Sequence, residues 1–209
     1  MYLTRSHAPR KWPLPRKGTK YLVRPAGDRE RGLPLLIIIR DILGLAQSKK
    51  ETQKLLNLGK IKVNYKPVKK VNYSIGLFDV LNLNGNNYKL VLEGKKFSIK
   101  EVKGDESKEK IARVDNKKIL KGEKTQINLS DGRNYIMDKK VIVGSSVIID
   151  LEKSKIKKVL PLKEGVKVLF ISGKHTGSEG KIKSIKEEIV AIVDESEIKT
   201  NKDSFIVIK

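Results

Sequence analysis

The chain has no cysteine, so it has no disulfide framework, no thiol nucleophile and no zinc–thiolate site. Histidine is nearly absent too. His7 and His175 each stand alone in a basic stretch, and His, Asp and Glu do not gather at metal-ligand spacing. No serine or threonine has a recognisable base beside it. Long apolar runs are missing. The longest, residues 33–39, stops at Arg40-Asp41, far short of the ~20 residues a membrane span needs. The first residues are polar, basic and broken by Pro9, Pro13 and Pro15, unlike a signal peptide. Together these absences argue against an enzyme, a cofactor, a metal site and a membrane anchor. A cytoplasmic binding protein is the expectation.

The remaining scarcity is negative charge. The 209 residues carry 46 Lys+Arg against 24 Asp+Glu, a net charge of +22. Self-repulsion of that size cannot help a compact fold, but it attracts polyanions. Lysine, isoleucine and asparagine are all frequent, as genomic base bias would make them. Such bias would raise glutamate as well, so it does not explain the imbalance. Nucleic acid is the leading partner, and an acidic membrane surface without an anchor the second.

The most informative stretch is residues 34–64, which reads as two short helices feeding a strand. The first, expected over residues 35–46, is apolar around most of its circumference, interrupted by Arg40, Asp41 and Gly44, so it should be buried on most sides. The second has an explicit start in Ser48 and Glu51, at capping-box spacing, and an explicit stop in Gly59. Thr52, Leu55 and Leu56 share one face, and Lys50, Gln53, Lys54 and Asn57 the opposite one. Alone, that second face would be ordinary solvated surface; the basic chain around it favours a grip on a phosphate backbone. Residues 60–64 alternate as a half-buried strand, a turn is expected near Lys66-Pro67, residues 68–73 can pair back, and residues 75–83 close the unit.

Residues 1–32 form a basic arm with nine Lys/Arg and two Asp/Glu. Its four prolines forbid a continuous helix, and free in solution it is expected to be poorly ordered. Trp12, the only tryptophan, has two readings. It stacks on a base, or it pins the arm to the body.

Beyond the Asn84-Gly85 turn the chain reads as short strands. Residues 88–92 and 97–100 suggest a hairpin around Gly94, and residues 105–112 one short helix. Strands are expected at 125–129 and 134–137 across Asp131-Gly132, and at 141–143 and 147–151 across Gly144. The last segment suggests strands at 166–171, 181–185, 189–193 and 205–208, the pattern of a small barrel. It contains G-K-H-T-G-S-E-G-K-I from Gly173 to Ile182, directly after an apolar strand. Its glycines allow a tight loop with backbone N–H groups exposed, ringed by Lys174, His175 and Lys181. A plain glycine-rich turn is the alternative, and the spacing is not that of a P-loop.

Five segments, in order and in register, resemble the archaeal/eukaryotic type of small-subunit ribosomal protein four. They are A-P-R-K-W-P-L-P-R-K from Ala8, P-L-L-I-I-I-R-D-I-L from Pro34, G-L-F-D-V from Gly76, Q-I-N-L-S-D-G-R-N from Gln126 and the glycine loop. Ser178-Glu179 departs from the more basic pair of that family. The resemblance implies an α+β, multi-domain chain. It has a basic N-terminal extension (1–33), a small αα-β S4-type RNA-binding domain (34–84), a central β-rich domain (85–162) and a C-terminal KOW/SH3-like β-barrel (163–209). It also implies a structural role on small-subunit rRNA beside neighbouring ribosomal proteins, with no membrane partner and no homo-oligomer. The RNA-binding residues expected are Arg5, Arg10, Lys11, Trp12, Arg16, Lys17 and Lys20 in the arm, and Arg40, Lys49, Lys50, Lys54, Lys60 and Lys62 in the S4-type unit. Arg133 in the central segment and Lys174, His175 and Lys181 in the last one complete the set. Two rivals are a KOW-containing transcription factor and an RNA-modifying enzyme with an S4-type domain. Neither a polymerase-binding domain nor a catalytic domain is visible in the sequence.

Overall fold

The computed structural model describes residues 2–122, 124–137, 141–185, 189–193 and 196–208. Contacts divide the chain into two compact units, Met1–Lys108 and Glu109–Lys209.

In the first unit, β1 (Tyr2–Thr4) pairs antiparallel with β2 (Tyr21–Val23). Strand β3 (Gly32–Pro34) leads into α1 (Leu35–Ile37), which continues as a π turn over Ile38–Ile42. Helix α2 (Lys49–Asn57) follows, then β4 (Ile61–Val63), β5 (Lys66–Pro67), β6 (Ser74–Gly76), β7 (Val80–Leu83), β8 (Asn86–Glu93) and β9 (Lys96–Val102). The main sheet runs β5-β4-β7-β8-β9, and β3 pairs separately with β6. The hairpin expected around Gly94 therefore extends the sheet of β4 and β7 rather than standing apart from it.

The arm is not loose. Leu3, Trp12 and Leu22 are buried in the same cluster as Leu33–Ile39, Leu56, Ile61 and Leu90. The Trp12 indole is 2% exposed, and its Nε1 donates to the Arg29 carbonyl at 3.3 Å. The anchoring reading of this residue is the one the structure supports. An indole enclosed by core side chains has no face left for a base, which corrects its expected contact with RNA.

The first helix is shorter than the apolar pattern predicts. It ends at Leu43 because Gly44 turns left-handed at φ +64, and the Leu45 N–H reaches back to the Ile39 carbonyl at 2.9 Å. Its π turn shows in the Leu43 N–H bonding the Ile38 carbonyl five residues earlier, at 2.9 Å. Residues 68–73 do not form the expected strand. Instead the Val71 and Tyr73 carbonyls accept from the Leu36 and Leu35 N–H groups at 3.0 and 2.9 Å, satisfying the first turn of a helix that has no side-chain cap.

The hairpin turn expected at Lys66-Pro67 lies earlier. Asn64 and Tyr65 both take positive φ, 50° and 63°, between the paired residues Val63 and Lys66. That is the two-residue turn whose twist suits antiparallel strands. Asn84-Gly85 and Gly94-Lys95 repeat the geometry. The G-L-F-D-V motif is a break between β6 and β7 rather than part of one strand. The Asp79 carboxylate accepts from the Gly76 N–H at 2.7 Å and from Asn64 Nδ2 at 2.7 Å, while Asn64 Oδ1 accepts from the Val80 N–H at 3.0 Å. One buried carboxylate and one buried amide thus lock two turns together.

In the second unit, β10 (Glu109–Ile119), β11 (Thr125–Leu129), β12 (Asn134–Met137), β13 (Ser146–Asp150) and β14 (Lys155–Leu160) form a sheet ordered β12-β11-β10-β13-β14. A second sheet is ordered β18-β17-β16-β15-β19, from β15 (Lys167–Phe170), β16 (Glu179–Ile185), β17 (Ile189–Val193), β18 (Ser196–Thr200) and β19 (Phe205–Val207). Strands β11 and β12 match the sequence expectation. The helix expected over residues 105–112 is instead a single 3-10 turn, Gly104–Ser107, followed by the longest strand of the chain. Residues 141–143 carry no strand, although Val141 packs in the core of this sheet.

Strand β10 buries two cations. Lys110, 2% exposed, donates to Asp131 at 2.7 Å. Arg113, 3% exposed, donates to Asp115 at 2.6 Å and has Asp203 at 3.3 Å. Burial pushes the Asp131 carboxyl up. The Lys110 ammonium, the Arg133 N–H and the Arg133 charge together outweigh it and hold the group below the usual aspartate value.

Candidate nucleic-acid interface

Helix α2 begins as its sequence predicts. Ser48 Oγ accepts the Glu51 N–H at 3.2 Å. The reciprocal bond of the capping box falls one residue early, because Glu51 Oε2 accepts the Gln47 N–H at 2.7 Å. Gly59, at φ +69, ends the helix. Thr52 and Leu56 are buried and Leu55 half-buried, which fixes the rotation of the helix. Lys50, Lys54 and Asn57 therefore face solvent together, with Lys49 beside them. Gln53 Nε2 ties this face to the next loop, donating to Asn57 Oδ1 at 2.9 Å and to the Lys69 carbonyl at 3.0 Å.

Strand β4 supplies the neighbouring charges. Ile61 and Val63 point into the core, so Lys60 and Lys62 point out, two residues apart on one face. Among the described residues, Lys49, Lys50, Lys54, Lys60 and Lys62 have no carboxylate within salt-bridge distance. Lysines four apart on a helix repel each other, so this arrangement costs the fold a little. The structure adds three lysines that sequence reasoning missed. Lys66 is exposed on β5, and Lys69 and Lys70 are exposed in the loop that Gln53 holds against α2. The run K-P-V-K-K after the strand carries the signal, although its apolar residues also fit a returning strand.

Other expected residues are occupied elsewhere. Arg5 is a staple inside the arm. Its Nε donates to the Thr19 carbonyl at 2.7 Å, Nη1 to the Pro15 carbonyl at 2.7 Å and Nη2 to Thr19 Oγ1 at 3.0 Å. Arg40 is held bidentate by Asp41, at 2.8 and 2.9 Å, and that bond raises the guanidinium pKa further. Both arrangements have one consequence. A guanidinium whose donors already meet carbonyls or a carboxylate has little left for phosphate. Lys11 is half-buried, and burial pulls its ammonium below the ordinary lysine value against the pull of Glu30 and Asp28. Arg133 lies 3.7 Å from Asp131 and is partly neutralised there. Arg10, Arg16, Lys17 and Lys20 remain exposed on the arm.

The glycine loop differs from its expectation in one respect. The Gly177 N–H donates to the Phe170 carbonyl at 2.8 Å and the Ser178 N–H to the His175 carbonyl at 3.1 Å. These donors close the turn instead of lining an anion cradle. Gly180 is not a loop residue either. A Cβ there would lie 2.6 Å from the Ile192 carbonyl oxygen, so glycine is needed for strand β16 to approach β17. Lys174 and Lys181 are exposed and His175 is half-exposed, so the loop presents side-chain cations.

Comparison with known proteins bears on the family of the chain. The model of the S4 domain matches residues 34–81, and the model of ribosomal family S4e matches residues 84–156. A small ribosomal subunit protein eS4 from Nanoarchaeum equitans is 35% identical over 184 residues, covering 85% of this chain and 79% of the relative. The eS4 protein of Methanocaldococcus jannaschii is 33% identical over 227 residues, covering 99% and 93%. The crystal structure of the 30S ribosomal protein S4e from Thermoplasma acidophilum superposes with a TM-score of 0.74 at 28% identity, covering 85% of this chain and 95% of that one.

Proposed function

The chain belongs to the S4e family of small-subunit ribosomal proteins, and from that premise we propose that it holds folded ribosomal RNA in place through the lysine face of α2 and β4. It is a structural component of the small subunit in the cytoplasm and makes or breaks no bond. One observation carries the assignment of the site. Five exposed lysines, without carboxylate partners among the described residues, are fixed on or beside a helix and a strand whose opposite faces are core.

The physics is counterion release. Each ammonium that replaces condensed cations on a phosphate contributes about 0.7–0.9 to the log–log salt slope. The spacing is set by the fold rather than by base edges, so the surface reads RNA shape. The arm contributes Arg10, Arg16, Lys17 and Lys20 to the same RNA. We assign the sheet β15–β19 to a KOW-type barrel. Its alternating short strands and the cations at Lys174 and Lys181 support this, with the loop meeting RNA or a neighbouring ribosomal protein through side chains. A division into extension, S4-type, central and barrel segments is part of the same reading, with β8 and β9 counted to the S4-type segment.

Sucrose-gradient sedimentation of tagged protein tests the proposal. The protein should travel with small subunits at low salt and be stripped from them as salt rises. A protein that stays at the top of the gradient at every ionic strength, and that ignores purified small-subunit rRNA, would end it.

A further inference from the structure

Once the indole is placed in the core, the arm retains a different aromatic surface. Strands β1 and β2 pair Leu3 with Leu22, and both leucines are buried. Alternation then turns Tyr2 and Tyr21 outward on the other face, as a diagonal cross-strand pair. Their rings meet edge to face with centroids 4.5 Å apart, yet remain 65% and 49% exposed. Lys20 Nζ lies 5.4 Å from the Tyr21 ring centroid. Beside Tyr21 opens a groove of about 880 Å³ whose wall includes Lys17, Thr19 and the Arg40–Asp41 pair. The one carboxylate there, Asp41, is neutralised by its arginine.

We propose that this aromatic pair is a stacking platform for an unpaired base of RNA, with Lys17 and Lys20 meeting the adjoining phosphates; the proposal rests on the RNA role given above. Two exposed rings in van der Waals contact supply apolar area that water does not favour. Cations beside the rings select a partner that is aromatic and anionic at once, and a nucleotide is both. A duplex keeps its base faces covered, so the platform discriminates in favour of single-stranded segments, loops and bulges. The groove has the size of a small-ligand site, enough for one extruded nucleotide.

The test uses the full-length protein and two RNA probes. One is a single strand of roughly 12 nucleotides carrying a fluorescent adenine analogue quenched by stacking, and the other is a duplex of equal length. Tyr21→Ile keeps a strong strand former and leaves the buried leucines untouched, and Tyr21→Phe keeps the ring. Tyr21→Ile should bind the single strand about tenfold more weakly and lose the quench, with duplex affinity unchanged, while Tyr21→Phe behaves as the parent. Unchanged single-strand binding by Tyr21→Ile overturns the proposal. An equal loss on both probes also overturns it, because the ring would then act only through the fold of the arm. Normal RNA binding with reduced incorporation into small subunits would move the pair to a protein neighbour and overturn it as well. A parent protein that ignores both probes at low salt would refute the broader RNA role, a result no tyrosine variant can mimic.

Discussion

Replacing Lys50 and Lys54 with glutamine removes two charges from the face of α2 and changes little else. Both side chains are exposed, and neither has a carboxylate partner among the described residues. If each neutralises one phosphate, the salt slope should fall by about 1.4–1.8. At roughly 0.1 M monovalent salt that difference is about 1.6 log units in affinity, some forty-fold, or about 2 kcal/mol. Stability should move the other way. The two ammonium groups are four residues apart, and relieving such a pair is worth about 0.2–0.5 kcal/mol, so the melting temperature should hold or rise by roughly 1–3 °C. The assay is filter binding to purified small-subunit rRNA across a salt series, with a thermal melt of each protein. An unchanged slope and affinity would return this face to ordinary solvated surface. A melting temperature several degrees lower would show that the lysines serve the fold instead.

Three further outcomes follow from the packing. Trp12→Ala should cost about 3–5 kcal/mol in urea unfolding, because the buried indole joins the arm to the body; a loss under about 1 kcal/mol would mean that the arm is detachable. Gly180→Ala should cost about 1–3 kcal/mol, since its Cβ would lie 2.6 Å from a carbonyl oxygen and 2.8 Å from Val193 Cγ2; a neutral result would show that β16 and β17 can part freely. Asp131 is held below its unfolded value, so it contributes stability that is fully present above about pH 4 and is lost as pH falls through the folded pKa. Asp131→Asn should therefore flatten the acid limb of a stability–pH profile taken by urea unfolding, while lowering the plateau because Lys110 loses its counter-charge. An acid limb identical to the parent's would remove the carboxylate from that role.

Local signals in the sequence were reliable where one residue governs the backbone. Ser48 with Glu51, Gly59, Asn84-Gly85 and Asp131-Gly132 each mark a real boundary. Signals failed where the deciding partner is distant. The start of β10 reads as a charged helix because one of its inward positions is Lys110, and the carboxylate that makes burial tolerable lies 21 residues on. The π turn cannot be seen by a period of 100° per residue, since it inserts a residue into that period. The Asn64-Tyr65 turn was masked by a nearby proline and by an unusual tyrosine at φ 63°. Among the candidate contacts, Lys49, Lys50, Lys54, Lys60 and Lys62 are exposed as the sequence suggests, because isolated ammonium groups stay at the surface, whereas Lys11 is half-buried. The engagement of Arg5 and Arg40 is not legible, because a guanidinium serves equally well as an internal clasp, and only the fold shows which acceptors surround it.

That clasp decides which molecule bends when the two meet. Arg5 ties residues 5, 15 and 19 together, and Trp12 fastens the enclosed segment to the body before any RNA arrives. Little chain entropy then remains to be lost on docking, and the heat-capacity change of association should be that of two preformed surfaces closing rather than of a coupled folding event. On the proposed role, the polypeptide would be a mould and the nucleic acid the partner that adjusts.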